Sequence, residues 1–190
     1  SLRRRFGVLS FNQNKIATAG GGGAVVCRDK ADADWIQGAV EDHRLPGAAY
    51  AWGEMGRPYF MTNLQAAILD AQLDDLPQIM RRKRAIAMRY TCAFPQINWL
   101  VNMTAWQPVG LAPVPAADLV RRCQSVGVEV RHVWPCLPDL PMFACSGKGD
   151  FPVARNVAKY GISLPCSPQL TPKDQGIVIR IVNKVLAELK

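Results

Sequence analysis

The sequence predicts an α/β chain, and three kinds of observation carry that expectation. Short apolar, Val-rich runs end abruptly at polar residues or glycine, as strands do. Between them lie longer stretches with apolar residues at helical spacing. Caps and breakers, including Thr62 with Gln65, Gly127 and Thr171-Pro172, fall where one pattern gives way to the next.

Taken in order, Phe6 to Phe11 reads as a buried strand leading into the polar turn Asn12-Gln13-Asn14-Lys15. The glycines Gly20 to Gly23 follow, and Ala24 to Cys27 reads as a second strand stopped by Arg28-Asp29. A lysine in a short turn beside glycines suggests an amine held close to a ligand, because glycine backbone can approach a bound group closely. The Ser10 hydroxyl and the N–H groups of such a turn can hold an anion. The same residues also fit a plain β-hairpin with a solvated lysine. Asp32 to Val40 has helical character, and His43 to Gly53 is a loop.

Thr62 and Gln65 form a capping box, which ties down free N–H groups at a helix start. Behind it Leu64, Ala67, Ile68, Ala71 and Leu76 lie on one expected apolar face. Pro77 suits the first turn of a further helix to about Phe94, with Ile79, Ile86 and Tyr90 inward and Arg81-Arg82-Lys83-Arg84 outward. Asn98 to Pro115 reads as irregular structure with short strands. A helix from about Ala116 to Ser125, with Leu119, Val120 and Cys123 inward, stops at Gly127. Val128 to Val133 alternates as a strand should. Pro135 to Gly149 is a loop, and Phe151 to Lys159 a short helix with Val153, Val157 and Ala158 inward. Ile162 to Pro165 is a strand. Thr171-Pro172 opens the last helix, whose expected inward residues are Ile177, Ile181, Val182, Val185 and Leu189.

The chain of 190 residues, 49% hydrophobic and 20% charged, is long enough for a substantial core. Its net charge of +8 is concentrated at Arg3 to Arg5 and Arg81 to Arg84. That balance suits an anionic partner, such as a phosphorylated substrate, but no nucleic-acid reader motif accompanies it. The six cysteines are scattered, with no C-x-x-C pair and only two histidines beside them. This argues against a zinc site and a disulfide scaffold, and for reduced thiols in the cytoplasm. No apolar run is long enough to span a bilayer, and the start lacks the apolar region of a signal peptide.

Ser10-Phe11-Asn12-Gln13-Asn14-Lys15, followed by Gly20 to Gly23, resembles the Schiff-base segment of the DegT/DnrJ/EryC1/StrS family of sugar aminotransferases. Met61 to Ala67, with Ala71-Gln72-Leu73, resembles that family's Met-Thr-x-Leu-Gln-Ala-Ala motif. Gly-Val-Glu-Val-Arg-His-Val-Trp-Pro (127–135) and Leu164-Pro165-x-Ser167-Pro168-x-Leu170-Thr171 resemble two later landmarks in the family order. The resemblance covers essentially the whole chain. It implies the C-terminal part of a type I pyridoxal-phosphate fold. Residues 1–60 would be the edge of the large domain, 61–94 the connecting and dimer-forming helices, and 95–190 the small C-terminal domain. It also implies pyridoxal 5'-phosphate as cofactor, Lys15 as the catalytic lysine that binds it, and Ser10 and Asn12 as cofactor contacts. Arg131 or His132 would meet an anionic substrate, although an edge-strand arginine in water explains the residues equally well. The family reaction passes an amino group, commonly from glutamate, to a nucleotide-linked keto sugar.

Pro58 and Phe60 depart from the family pattern, standing where it has an asparagine and an arginine. The asparagine reaches the cofactor phosphate of the neighbouring subunit, and proline has neither a side-chain donor nor an N–H. The resemblance further implies that the family's sequence before the lysine, with the aspartate for the pyridine nitrogen, lies outside this chain. A truncated homologue, a split enzyme and a fragment are all consistent with that. The expected state is a homodimer or a complex with a chain supplying the missing half, and a non-catalytic interaction protein is the competing function.

Overall fold

The structure is a computed structural model and describes residues 4–47, 49–100, 106–143 and 149–189. Arg3 of the first basic run, residues 101–105 of the Trp-rich stretch, and Cys145 and Gly147 of the expected loop lie outside them. The chain is α/β, as its patterns predict, and it divides into two compact units, Ser1–Pro77 and Gln78–Lys190.

In the first unit, β1 (Phe6–Ser10) and β2 (Gly23–Cys27) form a two-stranded antiparallel sheet, with Phe6 opposite Cys27 and Ser10 opposite Gly23. The β1 run is not the buried strand its composition suggests. Phe6, Val8 and Leu9 are exposed, and so are Val25 and Val26 on the partner strand. Two strands bury little by themselves. Helix α1 (Lys30–Val40) follows, anchored to β1 by Arg5, whose Nε donates to Asp32 at 2.7 Å. That hydrogen bond, with the charge behind it, holds the Asp32 carboxyl below its ordinary range.

Helix α2 (Asn63–Asp74) opens with the expected capping box. Gln65 N–H donates to Thr62 Oγ1 at 3.3 Å, and Thr62 N–H donates to Gln65 Oε1 at 3.2 Å. The helix turns a different face inward from the one its apolar residues mark. Leu69 packs with Ala17, Ala19, Phe11, Met61 and Leu76, whereas Leu64, Ala67, Ile68 and Ala71 are exposed. The contact with the glycine-rich connection decides the orientation, because Leu69 is the side chain that meets Ala17 and Ala19.

Helix α3 (Leu76–Ala93) carries Pro77 in its first turn, where the missing N–H costs nothing. The second unit then adds β3 (Asn98–Trp99), β4 (Val109–Leu111), α4 (Ala116–Ser125), β5 (Arg131–His132), two 3-10 turns (Leu137–Asp139 and Pro141–Phe143), α5 (Pro152–Tyr160), β6 (Gly161–Ser163) and α6 (Pro172–Glu188). Its sheet runs β3-β4-β6-β5, antiparallel throughout, with Gly110 opposite Ile162 and His132 opposite Ile162 on the other side. Only Arg131 and His132 of the alternating run 128–133 pair as a strand. Helix α4 ends in a Schellman motif. Gly127 takes φ +81°, its N–H donates to Gln124 O at 3.0 Å, and Val128 N–H donates to Cys123 O at 2.9 Å.

This unit has a closed core. Tyr90, Phe94, Leu119, Val130, Ile162, Val182 and Leu186 are essentially inaccessible, and the Tyr90 and Phe94 rings stack with centroids 6.1 Å apart. The Tyr90 hydroxyl donates to Pro165 O at 2.9 Å, and burial pushes its pKa up. Two inward residues differ from expectation. Val153 of α5 and Ile177 of α6 are exposed, while Gln175 and Val178 of α6 are buried. The Gln175 amide is satisfied by donating to Ile86 O at 2.8 Å.

The basic run on α3 is not uniformly outward. Arg81, Arg82 and Arg84 are exposed, but Lys83 is 8% exposed. Ile79, Lys83, Ile86 and Tyr90 follow the helical 4-3-4 spacing, so Lys83 shares their face. Its amine finds a partner there, donating to Cys166 O at 2.7 Å.

Candidate cofactor site at the Lys15 turn

The connection between β1 and β2 (residues 11–22) is ordered by its own polar groups. Thr18 Oγ1 donates to Phe11 O at 3.1 Å and accepts from Gly20 N–H at 2.9 Å. Phe11 N–H and Ala19 N–H close the base of the loop onto Gly22 O and Phe11 O, both at 3.0 Å. Within it, Lys15 N–H donates to Asn12 O at 2.9 Å, forming a tight turn. Asn12 Oδ1 accepts from Gln13 N–H at 2.8 Å, and Ser10 Oγ accepts weakly from Asn12 N–H at 3.5 Å.

Asn12 and Lys15 thus share one tight turn, and Ser10, the last residue of β1, meets it through Asn12 N–H; Lys15 is half-buried and the other two are exposed. Gly20 and Gly22 take φ +77° and +82°, conformations that L side chains rarely adopt. A Cβ on Gly20 would meet open space, so its role is backbone shape and not packing. The donor set is a primary amine, a hydroxyl, an amide side chain and loop N–H groups. An amine condenses with an aldehyde, and hydroxyl and N–H donors suit a phosphate. These residues fit the aldehyde and phosphate ends of a phosphorylated aldehyde. The carboxylates of Asp32 and Asp34 are engaged elsewhere, by Arg5 and by Lys30 at 2.7 Å.

One side of the hairpin borders a cavity of about 560 Å³, lined among others by Leu9, Val25, Ile36, Val40, Tyr59 and Phe60. Phe60 thus contributes an apolar wall to this cavity.

Arg131 and His132 sit on β5 of the second unit, both exposed. Arg131 Nε and Nη2 donate to Glu129 Oε1 at 3.0 and 2.5 Å. Arg131 also lines a cavity of about 210 Å³ with Gln107, Ser163, Cys166 and Ser167, whereas His132 is not among its lining residues. The Lys83 amine and the Cys166 thiol, which lie together, escaped sequence reasoning. The available signal was the spacing from Ile79 to Tyr90. Among the described residues there is no group of three or more His, Cys, Asp or Glu able to hold a metal ion, and no helix is long and apolar enough to cross a membrane.

The chain resembles known proteins along most of its length. The profile of the DegT/DnrJ/EryC1/StrS aminotransferase family matches residues 3–183. EpsN of Bacillus subtilis, provisionally named a pyridoxal phosphate-dependent aminotransferase, is 30% identical over 94% of this chain and 50% of its own length. A GDP-perosamine synthase of Caulobacter vibrioides is 25% identical over 94% of this chain and 52% of its own. Among solved structures, the aminotransferase TlmJ of Streptoalloteichus hindustanus superposes with a TM-score of 0.87 at 24% identity, covering 97% of this chain and 52% of that one. Helicobacter pylori PseC, an aminotransferase involved in pseudoaminic acid biosynthesis, gives 0.89 at 18% identity, covering 97% and 54%. The chain spans about half the length of the curated relatives it matches.

Proposed function

The chain belongs to the DegT/DnrJ/EryC1/StrS aminotransferase family and corresponds to its C-terminal half, and on that premise we propose that it supplies the lysine half of a pyridoxal-phosphate-dependent sugar aminotransferase. The observation that carries this reading is the half-buried Lys15 in a tight turn with Asn12, inside a connection between Ser10 and the positive-φ glycines Gly20 and Gly22.

Lys15 would hold the aldehyde end of pyridoxal 5'-phosphate, and Ser10 and Asn12 would contact its phosphate. When bound, the cofactor supplies an electron sink for a bond broken next to the amino nitrogen. Lys15 would then move the proton as general base and acid. Arg131, with His132 next to it on β5, would meet the anionic part of a nucleotide-linked keto sugar, with glutamate as amino donor. Residues 1–60 would serve as the edge of the large domain, 61–94 as connecting and dimer-forming helices, and 95–190 as the small domain. The exposed faces of β1, β2 and α2 suit a homodimer or a chain supplying the other half of the fold. The five described cysteines are free thiols, which suits the cytoplasm.

The test is glutamate-dependent amination of a nucleotide-linked keto sugar, by the chain alone and with a polypeptide that supplies the relatives' first half. Product should form in one of these settings, and Lys15→Ala should lower the rate by at least about 10²-fold. An unchanged rate in Lys15→Ala would remove Lys15 from the chemistry. No product in either setting would leave the chain as an interaction protein built on a transaminase fold.

A further inference from the structure

We propose that Lys83 and Cys166 form a peroxide-sensitive pair that closes into a sulfur–nitrogen link between α3 and the segment following β6. The inference does not depend on the aminotransferase reading, because neither residue belongs to the Lys15 turn.

Four observations carry it. The Lys83 amine is buried and held by Cys166 O at 2.7 Å, which fixes it 3.6 Å from Cys166 Sγ. The sulfur is oriented in turn, donating to Trp106 O at 3.4 Å. Cys166 is only half-buried and lines the cavity of about 210 Å³, so a small oxidant can reach it. Gln107, Arg131, Ser163 and Ser167 line the same cavity and offer polar groups for a peroxide. The other described thiols lack one or more of these features. Burial pushes the Cys123 thiol up to about 11 and shields it, while Cys92 is exposed on the outer side of α3.

The chemistry balances with hydrogen peroxide as the only oxidant. The Cys166 sulfur attacks one peroxide oxygen, the O–O bond breaks, and sulfenic acid and water result. The Lys83 nitrogen then attacks the sulfenic sulfur. An N–S bond forms as the S–O bond breaks, and the hydroxyl leaves as a second water with a proton from nitrogen. The flexible stem of the lysine lets the two atoms close the remaining gap. The pair thereby loses two hydrogens and gains no oxygen, and a thiol reductant reverses the change. The link would join residues 83 apart in sequence, restricting the unfolded chain and raising the melting temperature of this unit.

The experiment is peroxide treatment of the whole chain, followed by intact mass, peptide mapping and thermal melting. The expected result is a linked peptide pair joining Lys83 to Cys166, two hydrogens lighter than the reduced chain, melting higher and reverting with dithiothreitol. In Lys83→Met, Cys166 should carry added oxygen and no linked pair should form. If that variant fails to fold, the linked pair in the wild-type map decides alone. Three results would overturn the proposal: Cys166 staying reduced while Cys92 oxidises, the same oxygen adducts in wild type and Lys83→Met, or a linked pair that retains oxygen.

Discussion

The two units of this chain handle apolar surface in opposite ways. In Gln78–Lys190, helices and a four-stranded sheet enclose Tyr90, Phe94, Leu119 and Ile162 completely, and two of the polar side chains caught inside, Lys83 and Gln175, each find a carbonyl. Among the described residues of Ser1–Pro77 the buried hydrophobic ones are Ala17, Ala19 and Leu69, while Val8 is 78% exposed in the middle of a strand. The second unit is stabilised by its own interior, whereas the first is shaped by turn and cap hydrogen bonds around the lysine. Folding stability should therefore reside in the second unit, and the proposed lysine chemistry in the first.

The largest contrast comes from trimming equivalent apolar side chains in the two units. Ile162→Ala removes a fully buried side chain and should cost about 2–5 kcal/mol in denaturant unfolding. Val8→Ala should change stability by less than about 0.5 kcal/mol. Comparable losses at both positions would show that the hairpin has cover in solution and would erase the distinction.

Backbone and cap changes sharpen it further. Gly127→Ala forces a Cβ into φ +81° and should destabilise the second unit by about 1 kcal/mol or more, read from the same unfolding curves. Thr62→Ala removes the acceptor for Gln65 N–H and should cost about 1 kcal/mol of α2 stability. That loss should appear as faster amide exchange in residues 63–66, with exchange in α4 and α6 unchanged.

The smallest expected effect is electrostatic. Hydrogen bonds from Arg155, and then its charge, hold the Asp139 carboxyl below its ordinary value. A carboxyl whose folded-state pKa is lowered contributes fully above the ordinary carboxylate range, and the contribution is lost as pH falls through the lowered value. Asp139→Asn should therefore narrow its stability gap to wild type below about pH 4, the ordinary carboxylate range. The pair is solvent-exposed, so a gap that widens in acid would contradict the assignment.

Features set by neighbours in sequence were legible, and those set by neighbours in space were less so. The bounds of α4, the Schellman glycine and both Thr caps depend on hydrogen bonds spanning a few residues, and they appear where the sequence places them. Which face a helix buries depends on what lies across from it. The more apolar side of α2 is exposed because Leu69 meets the glycine connection, and Val153 of α5 is exposed although it fits a helical stripe. Lys83 was hidden by its own neighbours, since three arginines make the run look like a solvated face. The proximity of Ser10, Asn12 and Lys15 was readable because residues so close in sequence stay close in a turn without help. The cavities beside Phe60 and Cys166 required the fold.

The proposed chemistry rests on Lys15, and the most direct measurement is the absorbance of the purified chain titrated with pyridoxal phosphate, wild type against Lys15→Ala. Alone or with the polypeptide supplying the other half, wild type should develop a saturable band from the cofactor bound covalently to lysine, and Lys15→Ala should not. An equal band in both proteins, or none in either setting, would contradict a cofactor role for Lys15.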